Sequence, residues 1–317
     1  MYSFSTCWNS HRHQCGREML QEIAGLGFEY AELSHGIRVS LVPGIIEAVE
    51  AGDIKISTLH NFCPLPMGVN HAAPNIYEFS AEDRREREYA LKHSFKTIDF
   101  AIRMKAKLIV IHSGSMTFKK GFWASLFGEG EEKFTDQLED LLEADKAGSE
   151  EFNNLVARAM EAQEKAKREP LKRSVELLHK IANRAAEHGI LLGIENREAI
   201  EEIPLDPEMG EFLGQLPGDT VRYWHDCGHG QIKENMGFIN HRAHVEELAN
   251  QLAGFHIHDV EFPGKDHQPP GTGMIDFAGF KDLVRPDHIK VFEMSPGLAA
   301  DEVKSGVAHI KSVWGDE

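Results

Sequence analysis

The chain has 317 residues, of which 41% are hydrophobic, and a formal net charge of −17. This composition suffices for one large core, and α/β barrels of this length commonly fold as one unit, so we expect a single domain over residues 1–317. The negative charge opposes long-range attraction to nucleic acids and to anionic membrane surfaces. We therefore expect neither a nucleic-acid partner nor a membrane partner.

The cysteines and the amino-terminal segment indicate a reducing compartment. The four cysteines are scattered and form no CxxC pair, which argues against a disulfide scaffold. The first 15 residues lack the apolar core of a signal peptide, and no apolar run approaches the ~18–20 residues of a membrane span. These features predict a cytoplasmic protein.

Strand-like and helix-like patterns alternate along the chain. Short apolar runs bounded by Gly, Pro or polar residues predict strands near 2–8, 28–34, 54–62, 107–113, 190–196, 221–227, 254–260 and 288–294. Amphipathic helices are predicted between them, for example over 17–28, 87–106 and 175–190. This alternation predicts an α/β fold, a (β/α)8 TIM barrel. A doubly wound sheet is the alternative, but no GxGxxG motif follows the first strand.

Residues 118–170 interrupt this alternation after the fourth predicted strand. The segment is long, densely charged and helical in composition, so we predict a helical insertion. Because it leaves the carboxyl end of a strand, it begins on the face where TIM barrels carry their active sites. A lid over the pocket, a homo-oligomer contact and a solvated helical excursion are the three interpretations.

Six of the apolar runs end in side chains that bind metal ions. The runs are ISTLHN, LIVIHSG, LLGIEN, RYWHDCGH, GFHIHD and IKVFEM. In a parallel barrel the carboxyl ends of the strands share one face, so these side chains are expected to line one pocket. With one residue of a neighbouring loop, the candidates are His60, His112, Glu195, Asp226, His229, His256, His267 and Glu293.

We predict that Glu195, Asp226, His256 and Glu293 bind one divalent ion. Carboxylates together with an imidazole suit Mn²⁺, Mg²⁺ or Co²⁺, and also Zn²⁺. Such an ion polarises the carbonyl and hydroxyl groups of a sugar and stabilises an enediolate. Glu195 and Glu293 are then the candidate catalytic pair that exchanges protons at the carbon next to the carbonyl.

The other candidates, His60, His112, His229 and His267, are predicted to bind substrate or a second metal. Taken singly, His60 and His112 are equally suited to hydrogen-bonding a ligand residue. A helical turn that begins at DCGH would point Asp226 and His229 in the same direction.

Three further features of the sequence permit two interpretations each. Side chains alternate along a strand, so only one histidine of HIHD can enter the pocket; we select His256 and expect His258 to pack outward. Glu32 and His35 either line the pocket or serve the structure. The loop PPGTG at 269–273 is either a tight turn or a phosphate-binding backbone.

As a set, IEN, DCGH, HIHD, PGTG and FEM resemble the xylose isomerase-like TIM-barrel superfamily. That superfamily includes sugar and sugar-phosphate isomerases and epimerases, inosose dehydratases and three-zinc AP endonucleases, and the resemblance spans the whole barrel. In its ketose 3-epimerase branch the metal ligands match Glu195, Asp226, His256 and Glu293. The two glutamates double as the acid/base pair, and the position of His229 contacts substrate. The arginine usual near the position of His267 is absent.

In the endonuclease branch all eight candidates match ligand positions, but Lys265 stands where an aspartate ligand belongs. An ammonium group repels a metal ion, and Asp266 is expected to replace the lost ligand only if its loop shifts. The resemblance therefore implies a pocket for more than one metal, without a complete three-zinc site.

The first functional hypothesis is a divalent-metal-dependent isomerase or epimerase of a small sugar, sugar acid or polyol. The alternatives are an AP endonuclease-type phosphodiesterase and an inosose dehydratase-like lyase. A non-catalytic carbohydrate-binding barrel would predict loss of an acid/base carboxylate, whereas both Glu195 and Glu293 are present.

Overall fold

The computed structural model describes residues 1–119 and 131–315 and contains a closed barrel of eight parallel strands. Each barrel strand pairs with its neighbours in the chain, and the last pairs with the first. The barrel strands are β1 (Tyr2–Ser5), β2 (Tyr30–Leu33), β3 (Lys55–His60), β4 (Leu108–Ile111), β5 (Leu191–Glu195), β6 (Val221–Asp226), β7 (Leu252–Ile257) and β8 (Ile289–Phe292). This topology confirms the predicted (β/α)8 TIM barrel.

Amphipathic helices surround the barrel and bury their apolar faces against it. They are α1 (Gly16–Gly25), α2 (Val42–Ala51), α3 (Arg84–Met104), α4 (Phe134–Glu143), α5 (Glu150–Ala166), α6 (Arg168–Ala186), α7 (Met209–Gly214), α8 (Cys227–Asn235), α9 (His241–Leu248) and α10 (Ala300–Trp314). The segment after β7 instead forms a 3₁₀ helix, Phe277–Leu283. In the described part of the chain, no helix combines the length and apolarity that crossing a membrane requires.

Trp224 fills the centre of the barrel beneath the carboxyl ends of the strands. It is fully buried and packs with Leu108, Val110, Ile289 and Val291. Neighbouring strands supply glycines where the indole needs room: a Cβ on Gly254 would lie 2.5 Å from Trp224 Cζ3, and one on Gly193 would lie 3.1 Å from Trp224 Cβ. The barrel is therefore a packed core that supports the site from below.

The segment predicted as an insertion lies between β4 and β5. A short antiparallel pair joins Phe118–Lys119 to Glu131–Glu132, and α4 and α5 follow. Residues 120–130 of the predicted insertion lie outside the described residues. The roles of lid and oligomer contact stay predictions.

Candidate metal centre

Four buried side chains converge at the carboxyl end of the barrel. Glu195 and Asp226 end β5 and β6, His256 lies in β7, and Glu293 follows β8. His256 Nδ1 lies 2.6 Å from Glu195 Oε1, 3.1 Å from Glu293 Oε2 and 3.7 Å from Asp226 Oδ2. One donor atom from each of the four residues lies within 4.8 Å of the others. The structure thus brings together the four residues predicted to bind one ion.

The segment DCGH folds so that Asp226 serves both a helix and the site. α8 begins directly after Asp226, whose Oδ1 accepts a hydrogen bond from His229 N at 2.8 Å as the helix N-cap. The Asn196 side chain accepts a hydrogen bond from Asp226 N at 2.7 Å and donates one to Asp226 O at 3.0 Å. The asparagine of IEN therefore fixes the aspartate of the next strand.

Glu195 carries a second set of contacts that sequence reasoning missed. Its Oε2 accepts a hydrogen bond from Arg197 Nη1 at 3.0 Å, and Arg197 Nε donates to Glu202 Oε1 at 2.9 Å. Both Arg197 and Glu202 are buried. In an extended chain residues two apart share a side, which is the signal that could have identified Arg197.

His60 and His112 form a second donor group with Glu195. One donor atom from each lies within 4.8 Å of the other two. His112 Nδ1 bonds with Asn75 Oδ1 at 3.0 Å, while His112 Nε2 lies 2.9 Å from Glu195 Oε2. Both ring nitrogens of His60 are buried without a hydrogen-bond partner among the described residues. Burying a polar nitrogen without a partner costs free energy of folding, unless the nitrogen binds a ligand such as a metal ion.

Glu32, whose role the sequence left open, lies within the site. It is fully buried in β2, and its Oε2 lies 3.1 Å from His256 Nε2 and 2.8 Å from the Thr58 hydroxyl. His35 lines the mouth of the pocket, with its ring centroid 5.2 Å from that of His60.

His229, which is buried, and His267, which is partly exposed, lie near the acids Glu198 and Asp266. Their Nδ1 atoms pair with the backbone carbonyls of Asn196 and Glu293, each at 2.9 Å, and Nε2 of His267 lies 3.3 Å from Asp266 Oδ2. His229 forms a third donor group with Glu198 and Asp266.

Asp266, which was expected to replace the ligand lost at Lys265 only if its loop shifts, belongs to this donor group. Its carboxylate lies within 4.8 Å of a His229 nitrogen, while Lys265 is exposed and pairs with Glu261 at 2.6 Å. Whether its loop is shifted relative to that of the endonucleases stays a prediction.

The prediction that His258 packs outward is wrong. β7 ends at Ile257, and the chain then turns into a short antiparallel pair of Asp259–Glu261 with Lys265–Gln268. Strand alternation therefore ends before His258, whose Nε2 lies 3.0 Å from Asp226. Both histidines of HIHD face the carboxylates.

The PPGTG loop is a turn wrapped around the buried carboxylate of Asp259. Its Oδ2 accepts hydrogen bonds from Gly271 N at 2.8 Å and Gly273 N at 2.9 Å, and its Oδ1 accepts from Ile275 N at 3.0 Å. These amides are already paired, so the structure favours the tight turn over a phosphate-binding backbone.

The surrounding carboxylates control the protonation of His256. Burial by itself lowers the pKa of His256, but Glu293, Glu32 and Glu195 outweigh burial and raise that pKa well above its ordinary value. A raised pKa favours the protonated ring, and a proton on Nδ1 points toward Glu195 and Glu293.

The two glutamates experience different surroundings. Burial opposes ionisation of Glu195, yet His256, His112 and Arg197 hold its pKa well below the usual range. Burial raises the pKa of Glu293 to about 7, although His256 acts in the opposite direction. Two nearby carboxyls with separated pKa values are typical of acid/base sites.

The donor set fits a divalent ion. Two ligand atoms of one ion can be no further apart than twice the metal–ligand bond length, roughly 4–5 Å. The donor atoms of Glu195, Asp226, His256 and Glu293 meet that limit. Three carboxylates and one imidazole suit hard or borderline divalent cations. The unpartnered nitrogens of His60, in a donor group with His112 and Glu195, are consistent with a second ion that shares Glu195.

The sequence matches one family model and one individual protein. A model of the xylose isomerase-like TIM barrel family matches residues 120–313. The uncharacterized protein MJ1614 of Methanocaldococcus jannaschii is 24% identical over 275 residues, which cover 85% of this chain and 82% of that protein.

Solved structures that are similar over nearly the full length include three proteins named for sugar chemistry. A D-tagatose 3-epimerase-like protein has a TM-score of 0.66 at 15% identity, covering 99% of this chain and 97% of its own. The 3-keto-D-glucoside 4-epimerase YcjR of E. coli has a TM-score of 0.65 at 13% identity, covering 98% of each chain. A putative xylose isomerase of Rhodospirillum rubrum has a TM-score of 0.67 at 14% identity, covering 98% of each chain. At these identities the similarity shows a shared fold.

Proposed function

The chain belongs to the xylose isomerase-like TIM-barrel family, and from this premise we propose that it is a divalent-metal-dependent isomerase or epimerase of a small carbohydrate. The observation that carries the proposal is the convergence of Glu195, Asp226 and Glu293 on Nδ1 of His256. The epimerase names of two structures with the same fold support the carbohydrate class.

Glu195, Asp226, His256 and Glu293 are the residues that would hold the ion. When bound, the ion would polarise the carbonyl and the neighbouring hydroxyl of a hydroxy-ketone. The barrel holds these side chains in rigid positions, because Glu195 and Asp226 end barrel strands and His256 lies within one.

Proton transfer is assigned to Glu195 and Glu293. Arg197 and His112 contact Glu195 Oε2 and stabilise its ionised form, so Glu195 takes the proton from the carbon next to the carbonyl. Glu293 reaches the substrate from β8, three strands away around the barrel, and returns a proton to the other face. Transfer by both residues yields epimerisation, and transfer by one residue on one face yields aldose–ketose isomerisation.

Hydrogen exchange tests this proposal directly. The Mn²⁺-loaded protein is incubated in D₂O with a panel of ketoses, sugar acids and inososes, and deuterium on carbon is measured by NMR. We expect exchange with at least one compound and a loss of ~10²–10⁴-fold in Glu195→Gln and Glu293→Gln at matched metal content. The exposed Glu261→Gln variant is the control and should retain exchange. A dehydratase would be recognised by loss of water from the product.

The proposal fails if no compound in the panel exchanges, or if exchange is unchanged in both metal-loaded glutamine variants.

A phosphodiesterase is the second candidate, because His60, His112 and Glu195 form a separate donor group that shares one glutamate with the first. In enzymes whose two metal ions share a carboxylate ligand, the ions stabilise the attacking and the leaving oxygen of a phosphodiester. The net charge of −17 argues against a nucleic-acid substrate. We therefore expect no efficient incision of abasic DNA with Zn²⁺ present, and multiple turnovers in that assay would reverse the ranking.

A further inference from the structure

Glu32 is a carboxylate enclosed in the barrel directly behind His256. It is fully buried, and its Oε2 accepts hydrogen bonds from the Thr58 hydroxyl at 2.8 Å and from His256 Nε2 at 3.1 Å. Its Oε1 is buried without a hydrogen-bond partner in the parts of the chain that the structure describes. β2 and β7 are three strands apart around the barrel, so the contact with His256 crosses the barrel interior.

Fold stability does not explain a carboxylate in this position. A buried carboxylate oxygen without a donor costs more than one hydrogen bond to a threonine returns. An apolar side chain would fill the same volume at lower cost. The remaining hydrogen bond, with His256, is therefore the one that accounts for Glu32, which also lies within 4.8 Å of donor atoms of His60 and Glu293.

The aromatic neighbours of His256 orient the plane of its ring but do not distinguish its atoms. The His60 ring stacks on it with centroids 5.0 Å apart and 23° between planes, and Trp224 meets it edge-on at 5.1 Å. A 180° flip of the imidazole preserves both contacts while exchanging nitrogen for carbon at each position. Hydrogen-bonding partners oppose that flip, and the ring has one at each nitrogen: Glu195 at Nδ1 and Glu32 at Nε2. When Nδ1 binds a metal ion, the hydrogen bond to Glu32 is the one that remains.

We propose that Glu32 is a positioning residue, which holds His256 in the orientation and tautomer that turn Nδ1 toward Glu195, Asp226 and Glu293. A carboxylate accepts and does not donate, so the proton of the neutral ring stays on Nε2, and the lone pair of Nδ1 faces the three carboxylates. Histidines that bind metal ions commonly donate their other N–H to such a carboxylate. The inference rests on the proposed metal centre, and it adds a residue that binds neither metal nor substrate.

Metal affinity distinguishes this role from a structural one. The affinity of the full-length protein for Mn²⁺ is measured by competition with a chelator, for wild type and Glu32→Gln. We expect the variant to lose ~10–100-fold in affinity, as is typical when the partner of a metal-binding histidine is removed. Glu201→Gln is the matched control, because Glu201 is also buried but contacts α4 instead of His256. It should retain wild-type affinity even if its stability falls.

A second measurement is made on the wild-type protein, and a variant serves only to assign the signal. ¹⁵N NMR of histidine-labelled protein with bound Zn²⁺ reports which nitrogen of His256 carries the proton, with His256→Gln for assignment. We expect a protonated Nε2 and a metal-bound Nδ1. A metal-bound or unprotonated Nε2 overturns the inference.

Failure of this inference can be distinguished from failure of the proposed function. Equal Mn²⁺ affinity of wild type and Glu32→Gln overturns the role of Glu32 and leaves the proposed function standing. Loss of a second bound ion with unchanged affinity for the first also overturns it, because Glu32 would then be a ligand beside His60. A wild-type protein that binds no divalent ion contradicts both proposals.

Discussion

The carboxylate of Asp226 has two hydrogen-bonding partners, the start of α8 and His258, and a glycine makes room for the second. One oxygen caps α8, while the carboxylate also contacts His258 at 3.0 Å. His258 can approach because Gly228 lacks a side chain: a Cβ there would lie 2.0 Å from His258 Cε1. The glycine of DCGH thus serves close packing rather than turn formation.

We expect Gly228→Ala to lower the free energy of unfolding by ~1–3 kcal/mol, since an inserted methyl group in a packed region displaces its neighbours. Urea unfolding measures the change. Gly25→Ala is the control, because Gly25 also lies in a helix but a Cβ there has nothing within 4 Å. Equal stability of Gly228→Ala and wild type would show that His258 moves aside freely.

The types of the site residues could be predicted from sequence, but their contacts could not. Strand-end positions identified Glu195, Asp226, His256 and Glu293 because parallel strands bring their ends together. The orientation of His258 was predicted wrongly because strand alternation ends at Ile257, one residue before it.

At the scale of elements, the charged segment after β4 is tied to the loop that follows β5. Glu201 accepts hydrogen bonds from Phe134 N at 2.7 Å and from the Thr135 hydroxyl at 2.6 Å, so it caps α4 from another part of the chain. Gln163 of α5 donates to Ile200 O at 2.9 Å. Composition predicted helices in this segment. A cap supplied from 66 or 67 residues away leaves no pattern in the local sequence, so the start of α4 could not be predicted.

We expect Glu201→Ala to lower the free energy of unfolding by ~1–3 kcal/mol, because it leaves buried donors at the start of α4 without an acceptor. Hydrogen exchange at Phe134 and Thr135 should accelerate. Glu143→Ala, on the exposed side of the same helix, should change neither quantity. Unchanged exchange at Phe134 in Glu201→Ala would contradict the capping role.

At the scale of the molecule, a second polar cluster lies between the barrel and its helices. Tyr223 Oη contacts His225 at 2.8 Å and His244 at 3.1 Å, and His225 Nε2 contacts His241 Nε2 at 2.9 Å. Burial, with His244 adding to it, lowers the pKa of His241 from 6.5 to about 3. The folded protein therefore keeps His241 neutral at a pH where the unfolded chain protonates it.

The lowered pKa of His241 makes the stability of the folded protein depend on pH. The contribution of His241 to stability is fully present above pH 6.5 and is lost as the pH falls from 6.5 toward about 3. We expect His241→Gln to reduce the slope of unfolding free energy against pH in that window by up to ~1.4 kcal/mol per pH unit. His188→Gln, at an exposed position, is the control. An unchanged slope in His241→Gln would mean that the folded state accepts the proton there.

The barrel as a whole could be predicted because its signal is repeated eight times along the chain, whereas the polar cluster around Tyr223 could not. Its histidines are spread over β6 and α9 and meet only after those elements pack. The single-domain organisation over residues 1–317 and the role of the insertion stay predictions.

The most direct test of the metal centre is anomalous X-ray diffraction at the manganese edge, from crystals of the Mn²⁺-loaded protein. The account predicts a peak within roughly 2.0–2.6 Å of donor atoms from Glu195, Asp226, His256 and Glu293. In Glu32→Gln crystals prepared at the same limiting Mn²⁺ concentration, the peak should be weaker. A manganese peak that none of the four residues contacts, or no peak at saturating Mn²⁺, would contradict the account.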